Sequence, residues 1–190
     1  MESFREYLRQ FPGYTDLAFE RVAPQIVEER IGKGEALLRL GATSDRISFI
    51  QQGLFRQVYL IDGKEVTTCF CREHTLTCSY RSLITQQPSE LAIEALEESQ
   101  VLSLMHRDLQ ALYDQDPFWQ QVGRMAAEQE VMVRERHLHF VQDLSAADRY
   151  EHILREERDL LQRVSLQHLA SYMQVAPETL SRVRKQAVRS

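Results

Sequence analysis

A change of rhythm partway along the chain constrains its fold more than any other feature. Between Glu28 and about Met105 the apolar residues fall in short β-rich pieces: "EERI", "EALLR", "RISFIQQ", "LFRQVYLI", "EVTTCFC", "LAIEAL" and "VLSLM". Gly32, Gly34, Gly41, Gly53 and Asp62-Gly63 punctuate them. After "HRDLQALYDQDP" the punctuation nearly stops, and helical spacing runs to the end. Many short strands with frequent turns predict a small antiparallel barrel or double sheet. A helical remainder behind it makes the class α+β with segregated parts. Within the β region, "LIDGKEV" is a hairpin signal, because Asp62-Gly63 supplies the positive φ angles of a tight turn. Ahead of it, Phe4, Leu8 and Phe11 keep helical spacing, Pro12-Gly13 breaks it, and Leu17, Phe19, Val22 and Ile26 resume it.

The helical half divides by its own signals. From Pro117 to about Leu144 only Gly123 interrupts good helix formers. A single helix there would be roughly 40 Å long. Phe118, Val122, Met125, Gln129 and Met132 step by four and three, the rhythm of a helix–helix seam. Val122, Met125, Gln129 and Met132 are therefore predicted to join two copies about a two-fold axis, with Gln129 facing its own symmetry mate. Trp119, Ala126, Val133 and Phe140 form a second stripe, expected to pack on the β domain. "SAAD" then opens a fresh helix capped by Ser145, with Asp148 in its first turn and Tyr150, Ile153, Leu154 and Leu161 inward. The predicted organisation is residues 1–116 as helices and β domain, 117–144 as the joining helix, and 145–190 as a terminal helical domain.

That terminal domain carries the sharpest local pattern, "SLQHLASYMQVAPETLSRVRKQ". Ser165 caps a helix with Leu166, Leu169, Ala170 and Met173 inward. Pro177 suits the first turn of the next, where its missing N–H is not needed. Leu180 and Val183 then face inward, Val175 plugs the turn, and small Ala170 lets the helices cross closely. This is the spacing of a helix-turn-helix, whose second helix enters the DNA major groove. At Gln174 the turn requires a left-handed backbone, at some cost for a residue with a Cβ. Ser165, Pro177, Glu178, Thr179, Ser181, Arg182, Arg184 and Lys185 are the candidate DNA-binding residues. Glu178, Ser181 and Arg182 point outward near the helix start, towards base edges, while Thr179, Arg184 and Lys185 are placed for phosphates. The competing account is an ordinary helical hairpin with a solvated basic face.

Charge favours the DNA reading. The chain carries a net −5 over 190 residues, yet from Arg163 onward five basic residues (Arg163, Arg182, Arg184, Lys185, Arg189) oppose one acid, Glu178. A basic end on an acidic body fits a polyanion-binding part attached to one that is not. With 43% apolar and 27% charged residues, the composition is that of a soluble globular protein. No apolar run is long enough to span a bilayer, and "MESFREYLRQ" is too charged for a secretory signal, so no membrane partner is expected. Three cysteines, Cys69, Cys71 and Cys78, fit reduced thiols and a cytoplasmic location.

The order of helix, small β domain, long helix, capped helix and helix-turn-helix resembles the cyclic AMP receptor protein and fumarate–nitrate regulator (CRP/FNR) superfamily of bacterial transcription factors. The likeness covers nearly the whole chain and is similar in tone to the short regulators found in Bacteroidetes. Its most specific parts are "LFRQVYLIDGKEVTTCFC", "SYRSLITQQPSELAIEALEESQVLSL" and "SLQHLASYMQVAPETLSRVRK". The resemblance implies an N-terminal antiparallel β-roll of jelly-roll, cyclic-nucleotide-binding-like type, a long dimerisation helix, and a homodimer on an inverted-repeat site in double-stranded DNA. RNA polymerase is a further partner it suggests. Members that bind cyclic nucleotides carry a Gly-Glu pair and, about ten residues on, an Arg-Ser or Arg-Ala pair. Here these positions align with Ser79-Tyr80 and Glu90-Leu91. A carboxylate at Glu90 would repel a cyclic phosphate, so cyclic AMP is not the expected effector. If an unknown small molecule binds, Arg56, Ser79, Tyr80, Arg81 and Glu90 are its candidate pocket residues. Most relatives also continue past the recognition helix into a β-hairpin, so base reading here is expected to rest on the helix.

Other chemistry is weaker. Cys69 and Cys71 share a strand face, but with Cys78 they fall short of the four ligands a cluster or zinc site commonly takes, and are expected to be structural. His137 and His139, two apart on a helix, do not share a face and are expected at the surface or seam rather than on a metal. The β region offers only His74 and His106 for a cupin-like metal set. Neither a nucleophile elbow nor a phosphate loop occurs, so no enzyme and no cofactor are expected. The rival from another class is a small-molecule sensor or protein-interaction module of the same fold that does not bind DNA.

Overall fold

The computed structural model describes residues 1–187; Arg189, counted in the basic end, lies outside them. Two helices, α1 (Glu2–Arg9) and α2 (Asp16–Val22), lead through a 3₁₀ turn, Ala23–Gln25, into eight strands. These are β1 (Val27–Ile31), β2 (Ala36–Leu38), β3 (Arg46–Gln52), β4 (Phe55–Ile61), β5 (Lys64–Cys71), β6 (Leu76–Thr77), β7 (Leu91–Ala95) and β8 (Ser99–Met105). A short α3 (Tyr80–Thr85) separates β6 from β7. Then come α4 (His106–Gln115), α5 (Pro117–Asp143), α6 (Ala146–Glu156), α7 (Leu160–Arg163), α8 (Leu166–Tyr172) and α9 (Pro177–Ala187).

The strands form two four-stranded sheets, in the orders β1-β8-β3-β6 and β2-β7-β4-β5. Each quoted β-rich piece lies in one strand; the two-residue β6, which pairs with β3 at Ser48↔Thr77, gives too short a signal to read. Asp62 and Gly63 turn the β4–β5 hairpin with φ of 50° and 75°. That is the doubly positive backbone of a type I′ turn, which only Gly, Asn or Asp adopt cheaply. In β3, Phe49 faces away from the second sheet while Ser48 faces it, where its hydroxyl meets that of Ser103 at 2.9 Å.

The chain divides into two compact units: residues 1–57 with 70–130, and residues 58–69 with 131–190. The boundaries predicted at 117 and 145 coincide with helix ends instead, and α5 contributes to both units. In the first, α1, α2, α4 and the first turns of α5 lie on the outer face of the first sheet. Phe4, Phe19, Phe49, Leu102, Phe118 and Trp119 anchor that core. Phe4 and Tyr7 each hold their ring centroids 5.2 Å from Phe49. Val122 is 7% exposed within this core and Met125 packs against it. Both predicted seam positions are therefore occupied by the chain's own interior. Their heptad spacing serves packing on the β domain, as Trp119 also does.

The second unit joins α6–α9 to the last turns of α5 and the tip of the β4–β5 hairpin. Its interior is built from Phe140, Ile153, Leu160, Leu169, Met173 and Leu180. Phe140, expected on the β domain, instead stacks on Tyr172 at 5.4 Å and tilts against His152 at 5.6 Å. Leu160, rather than Leu161, is the residue fully buried after α6.

Candidate nucleic-acid interface and effector cavities

The helix pair at the C-terminus is built by caps and one strained turn. Ser165 accepts the His168 N–H at 3.1 Å and starts α8. Gln174 then adopts φ 50°, the left-handed conformation the spacing required, and the Val175 N–H returns to the Ala170 carbonyl at 3.0 Å. Pro177 opens α9, while the Ala176 carbonyl accepts from Thr179 and Leu180. Leu169, Ala170, Met173 and Leu180 are buried, so α9 packs on α6 and α8. Val175 is only half-buried.

Packing Leu180 inward fixes what faces water. Glu178, Arg182, Arg184 and Lys185 are exposed, and Ser181 and Thr179 are half-buried. Arg182 donates to the Thr179 hydroxyl at 3.3 Å, which holds its guanidinium over the first turn of α9. Thr179 therefore orients Arg182. Among the described residues Arg182, Arg184 and Lys185 make no ion pair, so three cations stand unneutralised on one exposed helix.

Sequence reasoning missed the residues that brace this pair. Arg149 on α6 donates to the Leu144 carbonyl at 3.0 Å, to Met173 at 2.6 Å and to Val141. One guanidinium thus satisfies carbonyls at the ends of α5 and α8, groups that helix termini leave unpaired. His137 stacks on Tyr172 at 4.7 Å, with both ring nitrogens buried and without a hydrogen-bond partner. Burial, with Arg149 and Arg134 nearby, pushes its pKa down to about 4. It is a half-buried neutral aromatic whose ring nitrogens are shielded by its neighbours; the exposed His139 pairs with Asp143 at 2.5 Å. The Ser171 hydroxyl accepts the Thr67 N–H at 2.9 Å and donates to the Glu65 carbonyl at 3.0 Å, fastening α8 to β5.

The first unit holds two cavities. One of about 300 Å³ lies between the sheets, with Leu38, Arg39, Ser44, Ser48, Thr77 and Ile93 on its walls. The other, about 530 Å³, lies on the outer face of the first sheet, where Tyr80 joins Tyr7, Phe49, Leu104, Tyr113 and Trp119. The predicted pocket residues do not converge. Arg56 is 4% exposed and held by Glu94 at 2.6 Å, on the wall of neither cavity. The Ser79 hydroxyl is buried against Ser89 at 2.8 Å. Arg81 and Glu90 pair with each other at 2.5 Å, 74% and 66% exposed at their side chains. Glu90 therefore faces solvent, and repulsion by its carboxylate is not what would keep a phosphate out. The aligned motif positions bring no arginine to the inter-sheet cavity; of the two arginines on its wall, Arg46 is engaged by Glu29 and Asp45, and Arg39 is exposed. Among the described residues, no group of three His, Cys, Asp or Glu side chains could hold a metal ion, and the three cysteines form no disulfide. No helix among them is long and apolar enough to cross a membrane.

Residues 28–116 match the family of cyclic nucleotide-binding domains. FixK2 from Bradyrhizobium japonicum superposes with a TM-score of 0.74 at 19% identity, covering 85% of this chain and 83% of that one. The chain has the CRP/FNR fold. The c-di-GMP-responsive global regulator CLP of Xanthomonas campestris covers 92% of both chains at 17% identity and TM-score 0.70. The catabolite activator protein of Thermus thermophilus covers 96% of this chain and 87% of its own at 19% identity and TM-score 0.57. No curated protein matches. At such identities the likeness is one of fold, and within the CRP/FNR architecture this chain's own side chains must carry the argument for function.

Proposed function

We propose that this CRP/FNR-fold chain is a cytoplasmic, homodimeric, sequence-specific DNA-binding transcription regulator whose β domain answers a small molecule other than cyclic AMP. The observation that carries the reading is the exposed face of α9. Arg182, Arg184 and Lys185 stand there without carboxylate partners, on the second helix of a pair braced by Arg149. Unpaired cations on the exposed face of a helix in an otherwise acidic chain suit phosphates and guanine edges. Glu178 and Arg182 face base edges, and Arg184 and Lys185 hold the flanking backbone, with Ser165, Thr179 and Ser181 at the margin.

Dimerisation along α5 follows from what the β domain leaves uncovered. Gln129 is exposed, and Val131, Met132 and Leu138 are 55%, 50% and 52% exposed on a helix that is otherwise polar there. A second copy would cover them and space two α9 helices by about 34 Å, one turn of DNA. RNA polymerase is the natural further partner of such a regulator.

Fluorescence anisotropy with a selected operator and a scrambled duplex tests the reading. Arg182→Ala should lose about 1–3 kcal/mol per half-site on the operator and relax preference at one position. Lys185→Ala should weaken both duplexes alike and make the salt dependence shallower. Binding indifferent to salt and to both substitutions would instead favour the sensor or interaction module without DNA binding.

A further inference from the structure

The outer-face cavity of about 530 Å³ is a second, partly open space, separate from the one between the sheets. Its walls are apolar: Phe49, Leu76 and Leu104 from the first sheet, Leu83 from α3, Leu109 from α4 and Val122 from α5. Its volume is in the range that holds a drug-sized ligand.

The polar side chains on these walls are aromatic donors together with His106, Gln110, Gln120, which donates to the Tyr113 carbonyl at 2.6 Å, and Arg124. Trp119 is 2% exposed, and its indole N–H is buried with no acceptor. Tyr7, Tyr80 and Tyr113 also line the space, and their hydroxyls make no hydrogen bond among the described residues. Burial pushes the Tyr7 and Tyr113 phenols up to about 12, which keeps them protonated and able to donate. Tyr113 is seated by α5 itself: a Cβ at Gly123 would stand 2.3 Å from the Tyr113 hydroxyl oxygen, so only glycine admits the ring there. Arg124 is the one guanidinium on the wall, and Glu128 pairs with it at 2.5 Å. Phenol donors on a largely apolar wall, with its one guanidinium paired, suit an uncharged ring system bearing an acceptor. They do not suit an anion such as a cyclic nucleotide.

We infer that this cavity, bounded by α1, α3, α4, α5 and the outer face of the first sheet, is a binding site for an uncharged aromatic ligand carrying a carbonyl. The ligand's rings pack between Phe49 and Val122 beside the Trp119 ring, and its oxygen accepts from the phenols of Tyr7, Tyr80 and Tyr113. The inference deepens the effector part of the proposed function and does not depend on DNA binding.

Trp119 is the only tryptophan, so its emission reports on the cavity directly. The full chain is titrated with 2-acetylnaphthalene and, separately, with 2-ethylnaphthalene, which has the same shape but no acceptor. The ketone should quench Trp119 saturably and bind about tenfold tighter than the hydrocarbon, the worth of one matched hydrogen bond. Ala126→Phe fills the cavity from α5 and should abolish binding of both. Tyr113→Phe removes one oxygen and should weaken the ketone several-fold while leaving the hydrocarbon unchanged. Ser48→Val alters the space between the sheets and should change neither. Absence of saturable quenching, equal affinity for the two compounds, or indifference to Ala126→Phe in a folded variant would overturn the site. If Ala126→Phe does not fold, the Tyr113→Phe comparison decides. Loss of the site with salt-sensitive DNA binding intact leaves the regulator reading standing. Ketone binding that satisfies these tests without changing DNA affinity keeps the site and removes only its regulatory role.

Discussion

In the β-roll unit, a sheet face and four helices surround a cluster of aromatic rings, and the space they leave is lined by phenols and an indole with no partners. In the helix-turn-helix unit the interior is small and mostly aliphatic, and the polar groups at its helix ends are engaged: Arg149 serves three carbonyls, Ser165 caps α8 and Ser171 fastens β5. The first unit thus keeps donors free on the inside, whereas the second keeps charges free on the outside, at α9. A unit with little apolar area must draw more of its order from hydrogen bonds. The difference teaches where each unit can meet a ligand: an apolar molecule in the first, a polyanion on the second.

Removing a side chain from the smaller core gives the largest break in this comparison. Leu180 is fully buried between α6, α8 and α9. Leu180→Ala should cost about 2–5 kcal/mol. The loss should fall on the second unit and abolish DNA binding, while Trp119 emission, which lies in the first, keeps its urea midpoint. Coincident loss of Trp119 and helical signals would mean that the two units unfold as one.

Breaking the clamp comes next. Arg149→Met keeps the aliphatic stem and removes the guanidinium from the Leu144, Met173 and Val141 carbonyls. Charge-assisted hydrogen bonds contribute about 1.5–3 kcal/mol, and the same loss of second-unit stability is expected here. Thermal unfolding followed by far-UV circular dichroism measures it; an unchanged midpoint would show that solvent replaces the clamp without penalty.

What the sequence made legible follows from how local each signal is. Strand pieces, the Asp62-Gly63 turn, the caps at Ser145 and Ser165 and the left-handed Gln174 are set by a few neighbouring residues, and each could be read. Partner choice is not local. Val122 and Met125 have the spacing of a seam, but spacing says only that a face is buried, and here the chain's own core covers it. Phe140 shares a stripe with Trp119, yet the two serve different units. Glu90 aligns with a phosphate-binding position, and its side chain pairs with Arg81 in solvent. Arg149 carries no signal in the sequence and His137 reads there as a surface or seam residue, because their partners are carbonyls and rings outside their own helices.

His137 adds a pH dependence that one unit should show and the other should not. Its neighbours are the rings of Phe140 and Tyr172, with Arg134 and Arg149 as the nearby cations and His152 across Phe140. Its pKa falls from 6.5 to about 4 on folding. Between those values the unfolded chain takes a proton that the folded chain refuses, so stability is lost as pH falls from about 6.5 towards 4. Allowing for the screening of a partly exposed ring, the loss should be about 1–2 kcal/mol. His137→Phe keeps the stack and should flatten this part of the second unit's pH profile relative to the unsubstituted chain. Equal slopes in the two proteins would reject the assignment.

The smallest effect tests where the two units divide. The tip of the β4–β5 hairpin belongs with α8, and one hydroxyl links them: Ser171 accepts from the Thr67 amide and donates to the Glu65 carbonyl. β5 is the last strand of its sheet, and an edge strand leaves a row of peptide groups without strand partners. Ser171 takes two of those groups and so stands in for a neighbouring strand at one point. Ser171→Ala should lower the stability of the second unit by about 1 kcal/mol, as expected for one neutral hydroxyl with two partners. It should also speed hydrogen exchange at the Thr67 amide several-fold. The Ile50 amide, bonded to the Thr75 carbonyl at 3.0 Å in the first unit, should exchange as before. If both amides accelerated together, the hairpin tip would report on the β-roll, and the boundary between the units would have to move from within the hairpin to its base.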